Sequence, residues 1–143
     1  MNRFTFSLEK VLDYRIRIEE TKKETLARAA QRAQAEELLL QLLVAERNKP
    51  VLKTGRLNII KIQQEESHNM LLDAKISQQK ERLKAAKKAF TKELGEFCQA
   101  AKHRKMLESL RDKQWEEYYK EFCREEQKNL DEAGIASFCR QAE

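Results

Sequence analysis

An all-α fold, an antiparallel two-helix coiled-coil hairpin with its second arm longer than its first, is predicted by three observations. The 143 residues include one proline, Pro50, five positions ahead of Gly55, and apart from Gly95 and Gly134 nothing else interrupts helix-favouring sequence between Ser7 and Gly134. Charged residues make up 37% and aromatic residues 7%, a balance that suits solvated helices and cannot furnish a globular core. The 41% that are hydrophobic recur at helical spacing, which excludes plain disorder. One coiled-coil domain over 1–143 follows. Its elements are a helix at 7–48, a turn at 49–56, a helix at 57–133 in which 57–66 is left open as a separate short helix, and a tail at 134–143.

The first helix opens on a start signal. Ser7 is placed to cap it, Phe6 to pack on Val11 as a hydrophobic staple, and Glu9 in the first turn suits the helix dipole. A stripe then runs through Leu8, Leu12, Leu26, Ala29, Ala33, Leu40 and Leu43, with Arg15, Glu19, Lys22 and Glu36 at the same heptad positions. A rival stripe passes through Val11, Ile18, Ala35, Leu39 and Leu42. Neither is apolar throughout, so a drifting seam is expected, weakest at 19–25. Lys49 precedes Pro50 and is disfavoured in the α region, which ends the helix by about Asn48.

The second helix has a cleaner stripe. Ile62, Ile76, Leu83, Phe90 and Phe97 share one heptad position, skipping only Asn69, and Leu72, Ala86, Ala100 and Leu107 take the position three residues on. Gly95 inside the helix costs about 1 kcal/mol relative to Ala and is read as a site of close helix approach. Past residue 107 the apolar face is expected to move to Leu110, Trp115, Tyr118 and Phe122, with Gly134 ending the helix.

Unequal arms leave something unpaired. At 1.5 Å per residue the first spans about 60 Å and the second about 115 Å. A simple turn at 49–56 brings Ser7 level with residue 98, whereas a short helix at 57–66 shifts the pairing and brings Trp115 towards Phe4 and Phe6. Charge separates too: net +1 over 1–47, +3 over 48–56, +5 over 57–105 and −4 over 106–143. The lysines of the basic stretch are mixed with acids and lack interleaved aromatics, as solvated coiled-coil flanks do, so nucleic acid is not the expected partner.

Other function classes drop out. His68 and His103 lie 35 positions apart, and no nucleophile–base pairing, HExxH, P-loop or glycine-rich phosphate cradle accompanies them, so no catalytic residue, cofactor, metal or small-molecule substrate is expected. Cys98, Cys123 and Cys139 are odd in number and none stands in CxxC spacing, against both a disulfide framework and a zinc site. The longest apolar run, Leu38 to Ala45 with Gln41 inside it, is far short of a bilayer span, and the N-terminus does not read as a signal peptide. A cytoplasmic location is expected.

Two apolar excesses remain once the seam is counted. Leu38 and Leu42, four apart, exceed what a two-helix seam buries, and Ile59, Ile60, Met70 and Leu71 add similar surplus across the turn. They form either a docking surface or the bed of a short third helix. The second excess is Trp115, Tyr118, Tyr119 and Phe122 on the acidic arm, read as interface anchors or as packing for Phe4 and Phe6.

The opening Phe4-Thr5-Phe6-Ser7-Leu8-Glu9-Lys10-Val11-Leu12-Asp13-Tyr14-Arg15 resembles the start of the flagellar type III export protein FliJ family: aromatic, x, aromatic, x, Leu, and then Leu and Arg at fixed steps. The close, Glu126-Gln127-Lys128-Asn129-Leu130-Asp131-Glu132-Ala133, is similar to that family's acidic C-terminal stretch. The resemblance covers nearly the whole chain. It implies a non-enzymatic coiled-coil stalk, similar to the γ subunit of rotary ATP synthases, that links the export ATPase hexamer to the cytoplasmic ring of the membrane export gate and assists chaperone and substrate delivery. On that picture Phe4, Phe6, Arg15, Trp115, Tyr118 and Phe122 belong to the ATPase pore end, and Leu38, Leu42, Ile59, Met70 and Leu71 face the gate. Leu12, Ala33, Leu40, Ile76, Leu83, Phe90 and Phe97 form the seam. The protein would be a monomer in isolation, peripheral to the cytoplasmic face of the inner membrane. The alternatives are a generic coiled-coil scaffold or self-associating adaptor and, further off, a basic nucleic-acid-binding hairpin.

Overall fold

Two helices and, among the described residues, no strand make up the computed structural model, which describes residues 3–50 and 59–141. Helix α1 is Glu9–Arg47, of 39 residues, and α2 is Ile59–Gln141, of 83. The fold is therefore the all-α helical hairpin with the longer second arm that proline placement and heptad spacing predict. The expected turn at 49–56 lies mostly outside the described residues. Two compact units divide the chain, one from residues 1–19 and 100–143, the other from 20–99.

Helix α1 begins just after a turn at Ser7 and Leu8, where Glu9 N–H donates to the Phe6 carbonyl at 3.2 Å and Leu12 N–H to that of Leu8 at 2.9 Å. Burial falls on Phe6 and Leu12, with Leu12 1% exposed, while Val11 stays exposed, so the expected staple residue is not the one that packs. At the other end Asn48 N–H still reaches the Val44 carbonyl at 3.0 Å, and Lys49 N–H tightens onto Glu46 at 3.3 Å before Pro50 withdraws its donor.

Within α1 a single heptad series is the less exposed one from end to end: Leu12, Glu19, Leu26, Ala33, Leu40 and Arg47, with Leu8, Arg15, Lys22, Ala29, Glu36 and Leu43 between them. The drift expected at 19–25 does not occur. The rival stripe stays largely outside, with Val11, Ala35, Leu39 and Leu42 exposed and Ile18 half-buried. Polar side chains hold the register because α2 offers polar partners at matching places.

Helix α2 repeats the pattern. From Asn69 through Ile76, Leu83, Phe90, Phe97, Arg104, Arg111 and Tyr118, alternating with Leu72, Gln79, Ala86, Glu93, Ala100, Leu107 and Gln114, every position is buried or half-buried. Past residue 107 the expected shift of the apolar face occurs only in part: Tyr118 and Phe122 are half-buried, but Leu110 and Trp115 lie exposed while Arg111 and Gln114 keep the register. Ile62 fits the heptad yet is exposed, because cross-helix contacts begin only at His68 and Asp73.

In the unit of residues 20–99 the helices run antiparallel. Arg47 donates to Asp73 at 2.8 Å, Gln79 meets Glu36, Thr25 Oγ1 donates to Glu93 at 3.2 Å and Lys22 to Glu96 at 2.6 Å. Leu72 and Leu83 are its buried apolar groups. Helix α2 is unbroken from Ile59, so the described part of 57–66 belongs to it and forms no separate short helix. Gly95 does not serve close approach either: a Cβ built there meets nothing within 4 Å.

The unit of residues 1–19 and 100–143 is antiparallel as well, with Phe4 against Tyr118 and Glu19 against Arg104. Ser7 is thus not level with residue 98. Its buried apolar groups are Phe6, Leu12 and Ala100. Gly134 does not end α2, which continues to Gln141 where a tail was expected; its φ is not left-handed, the Ser137 hydroxyl donates to its carbonyl at 2.9 Å, and helix-compatible residues follow it.

Candidate partner-binding surfaces

Loop-proximal residues of the 20–99 unit carry an exposed apolar group. A two-helix seam covers only the heptad face of each helix, so the consecutive leucines of α1 divide: Leu40 and Leu43 are half-buried, while Leu38 (57% exposed), Leu39 and Leu42 face solvent. On α2, Leu72 is buried but Ile59, Ile60, Met70 and Leu71 are exposed. No third helix covers them among the described residues. Beside them Glu46 lies 3.8 Å from His68, and the Arg47–Asp73 pair fastens the ends of the seam.

Aromatic groups dominate the other unit. Phe4 packs on Tyr118 with ring centroids 5.5 Å apart and planes tilted by 49°, so Tyr118 rather than Trp115 receives it. Trp115 stacks instead on Tyr119, one turn on, at 5.3 Å and 7°, and remains about half exposed. The Tyr119 hydroxyl is held above its ordinary value by its hydrogen bond with Cys123, a further turn along the same face. Phe6 is buried and Phe122 half-buried. Arg15 and Leu107 line a shallow cup of about 250 Å³ with Val11, His103 and Met106. Beyond Phe122 every residue through Arg140 is exposed, including Leu130, Ile135 and Phe138.

Between these surfaces in sequence lie seam polar groups that composition and spacing present only as interruptions. Arg104 binds Glu19 across the helices and Glu108 one turn along α2 at 2.6 Å, and these two carboxylates hold its guanidinium above its ordinary value. Gln79 is buried on Glu36. Among the described residues no buried side-chain polar atom lacks a partner. The signal for these two pairs was present: Gln79 and Arg104 hold seam positions in α2 just as Glu36 and Glu19 do in α1. Reading each helix alone conceals it.

Among the described residues no group of His, Cys, Asp or Glu could hold a metal ion, the three cysteines are free and exposed, and no helix is long and apolar enough to cross a membrane. A family model described as the flagellar FliJ protein matches residues 4–143. Neither a curated protein nor a solved structure matches.

Proposed function

This chain belongs to the flagellar FliJ family, a non-enzymatic component of flagellar protein export, and from that premise we propose that it is a coiled-coil stalk linking the export ATPase hexamer to the cytoplasmic ring of the export gate. The observation that carries the reading is the surplus of α2 over α1. A seam between a 39-residue and an 83-residue helix leaves the longer one without cover, and Ile59–Ser67 in one unit and Cys123–Arg140 in the other are exposed throughout. Exposed apolar side chains on long helices are docking groups for other proteins rather than for small ligands.

Leu38, Leu42, Ile59, Met70 and Leu71 are the gate-facing contacts on this reading. Phe4, Phe6, Arg15, Trp115, Tyr118 and Phe122 frame the end that enters the ATPase ring, the buried Phe6 by setting the course of the N-terminal segment. Export chaperones are further partners, and the site of action is the cytoplasmic face of the inner membrane.

The test mixes the full chain with the purified export ATPase and follows association and hydrolysis. Association with stimulated hydrolysis is expected, weakened by Trp115→Ala and left intact by Leu42→Asp. Absence of both association and stimulation would overturn the proposal.

A further inference from the structure

We propose that a lysine ladder on α2, formed by Lys80, Lys84, Lys88 and Lys92, is a docking ridge for an acidic helix of a partner protein. The four stand at steps of four residues, which stacks them turn above turn over about 18 Å, and Lys87 stands beside them, three places on from Lys84. All five are exposed, and Arg82 with them. Helix α2 meets α1 through Gln79, Leu83, Ala86, Phe90 and Glu93, so the ladder lies off the seam.

Positive charge is in true excess here. The Gln79–Glu36 and Lys22–Glu96 contacts bound this stretch of the two helices. Between them α1 holds four bases and three acids over 22–37, and α2 holds six bases and three acids over 79–96. A net +4 therefore remains after every carboxylate of both helices is counted, out of +5 for the whole chain. Only Glu81 stands within the ladder; Glu93 accepts from the Thr25 hydroxyl and Glu96 from the Lys22 ammonium at the edge of the seam. None of the six α2 bases forms an ion pair among the described residues. Like charges four apart work against a helix, and the ladder sets three such pairs in a row. No ion pair within the hairpin offsets that repulsion.

Helix geometry selects the occupant. Ridges of residues four apart on two helices interdigitate at a crossing angle of about −50°, so carboxylates four apart on a partner helix meet the ladder rung for rung. Firm seating on a bilayer takes apolar groups beside the lysines, and no large apolar side chain between Ser77 and Lys92 is exposed. Single-stranded nucleic acid takes aromatic platforms that the ridge lacks, and Glu81 within the ladder repels any phosphate backbone. A base on a partner helix can answer Glu81.

The ridge shares no residue with the ATPase-end or gate-facing sets, and its test can fail while the stalk reading stands. A synthetic helix with Glu at every fourth position in an Ala and Gln background, and a scrambled peptide of the same composition, are titrated against the full chain at low salt. The ladder peptide is expected to bind at least about threefold more tightly than the scrambled one. Lys84→Glu/Lys88→Glu should weaken it at least about tenfold with helicity kept, and Lys113→Glu/Lys120→Glu, an equal change of net charge at exposed positions elsewhere on α2, by less than about threefold. No binding of the ladder peptide, equal binding of the two peptides, or equal weakening by the two double variants would overturn the proposal. So would duplex DNA or vesicles of anionic phospholipid that bind more tightly than the ladder peptide and are released by Lys84→Glu/Lys88→Glu, since the occupant would then be a nucleic acid or a membrane.

Discussion

Gln79, 5% exposed, spends its side-chain amide on one residue: Nε2 donates to the backbone carbonyl of Glu36 at 3.0 Å and also to its carboxylate. A polar residue inside a thin seam is tolerated because its partner stands opposite. This contact joins the two helices at heptad positions where each sequence looks broken.

Gln79→Ala is therefore expected to lower the unfolding free energy by about 1–3 kcal/mol, the cost of losing a buried polar pairing and leaving a void. Gln79→Leu should recover much of that, since a leucine fills the seam and the half-buried Glu36 carboxylate can turn to water. Urea titrations followed by circular dichroism measure both. Equal losses in the two variants would show that the hydrogen bonds, not the packing, set the cost.

Lys22 and Glu96 make stability depend on pH at both extremes. The hydrogen bond from Lys22, and then its positive charge, hold the Glu96 carboxyl below its ordinary 4.5; the same bond and Glu96's charge raise Lys22 above 10.5. The Glu96 contribution is complete above about pH 4.5 and is lost as pH falls through the lowered value. The Lys22 contribution is complete below about 10.5 and is lost as pH rises through the raised one. The thermal midpoint of Glu96→Gln should thus lie slightly below that of the unaltered chain at neutral pH and converge with it in acid. A constant gap down to pH 2 would show that the pair is not the cause. The effect should be small, since both side chains are more than a third exposed.

Leu83 and Leu38 separate packing from docking. Leu83 is buried in the seam, so Leu83→Asp should destabilise by about 3 kcal/mol or more, enough to melt the 20–99 unit at moderate temperature. Leu38 faces solvent, and Leu38→Asp should stay within about 0.5 kcal/mol while weakening a partner. Helical ellipticity on heating distinguishes them; melting by Leu38→Asp would assign that leucine to the core.

Gly95→Ala should stabilise the chain by about 1 kcal/mol, because the new methyl meets no atom within 4 Å and the helix loses its most flexible residue. A lowered midpoint in a thermal melt would instead reveal a close contact at that position.

The sequence by itself determined the class of fold. Pro50 stops α1, heptads of Leu, Ile, Phe and Ala define a seam face in each helix, and scarcity of large apolar groups rules out a globular core, all from propensity and spacing along one chain. That Leu38, Leu42, Met70 and Leu71 lie beyond the arc a two-helix seam covers was likewise legible, but whether a short third helix covers them was not; they are exposed. Only the tertiary structure decided the register. Whether Leu8–Leu12 or Val11–Ile18 belongs to the seam depends on what stands opposite, and Glu19, Lys22 and Glu36 are breaks in isolation but partners once Arg104, Glu96 and Gln79 face them. The same pairing left Ile62 and Trp115 outside, placed Tyr118 against Phe4, and kept α2 helical through Gly134. Hydrophobic periodicity is a property of one helix; polar complementarity is a property of two, and it appears only when both are in place.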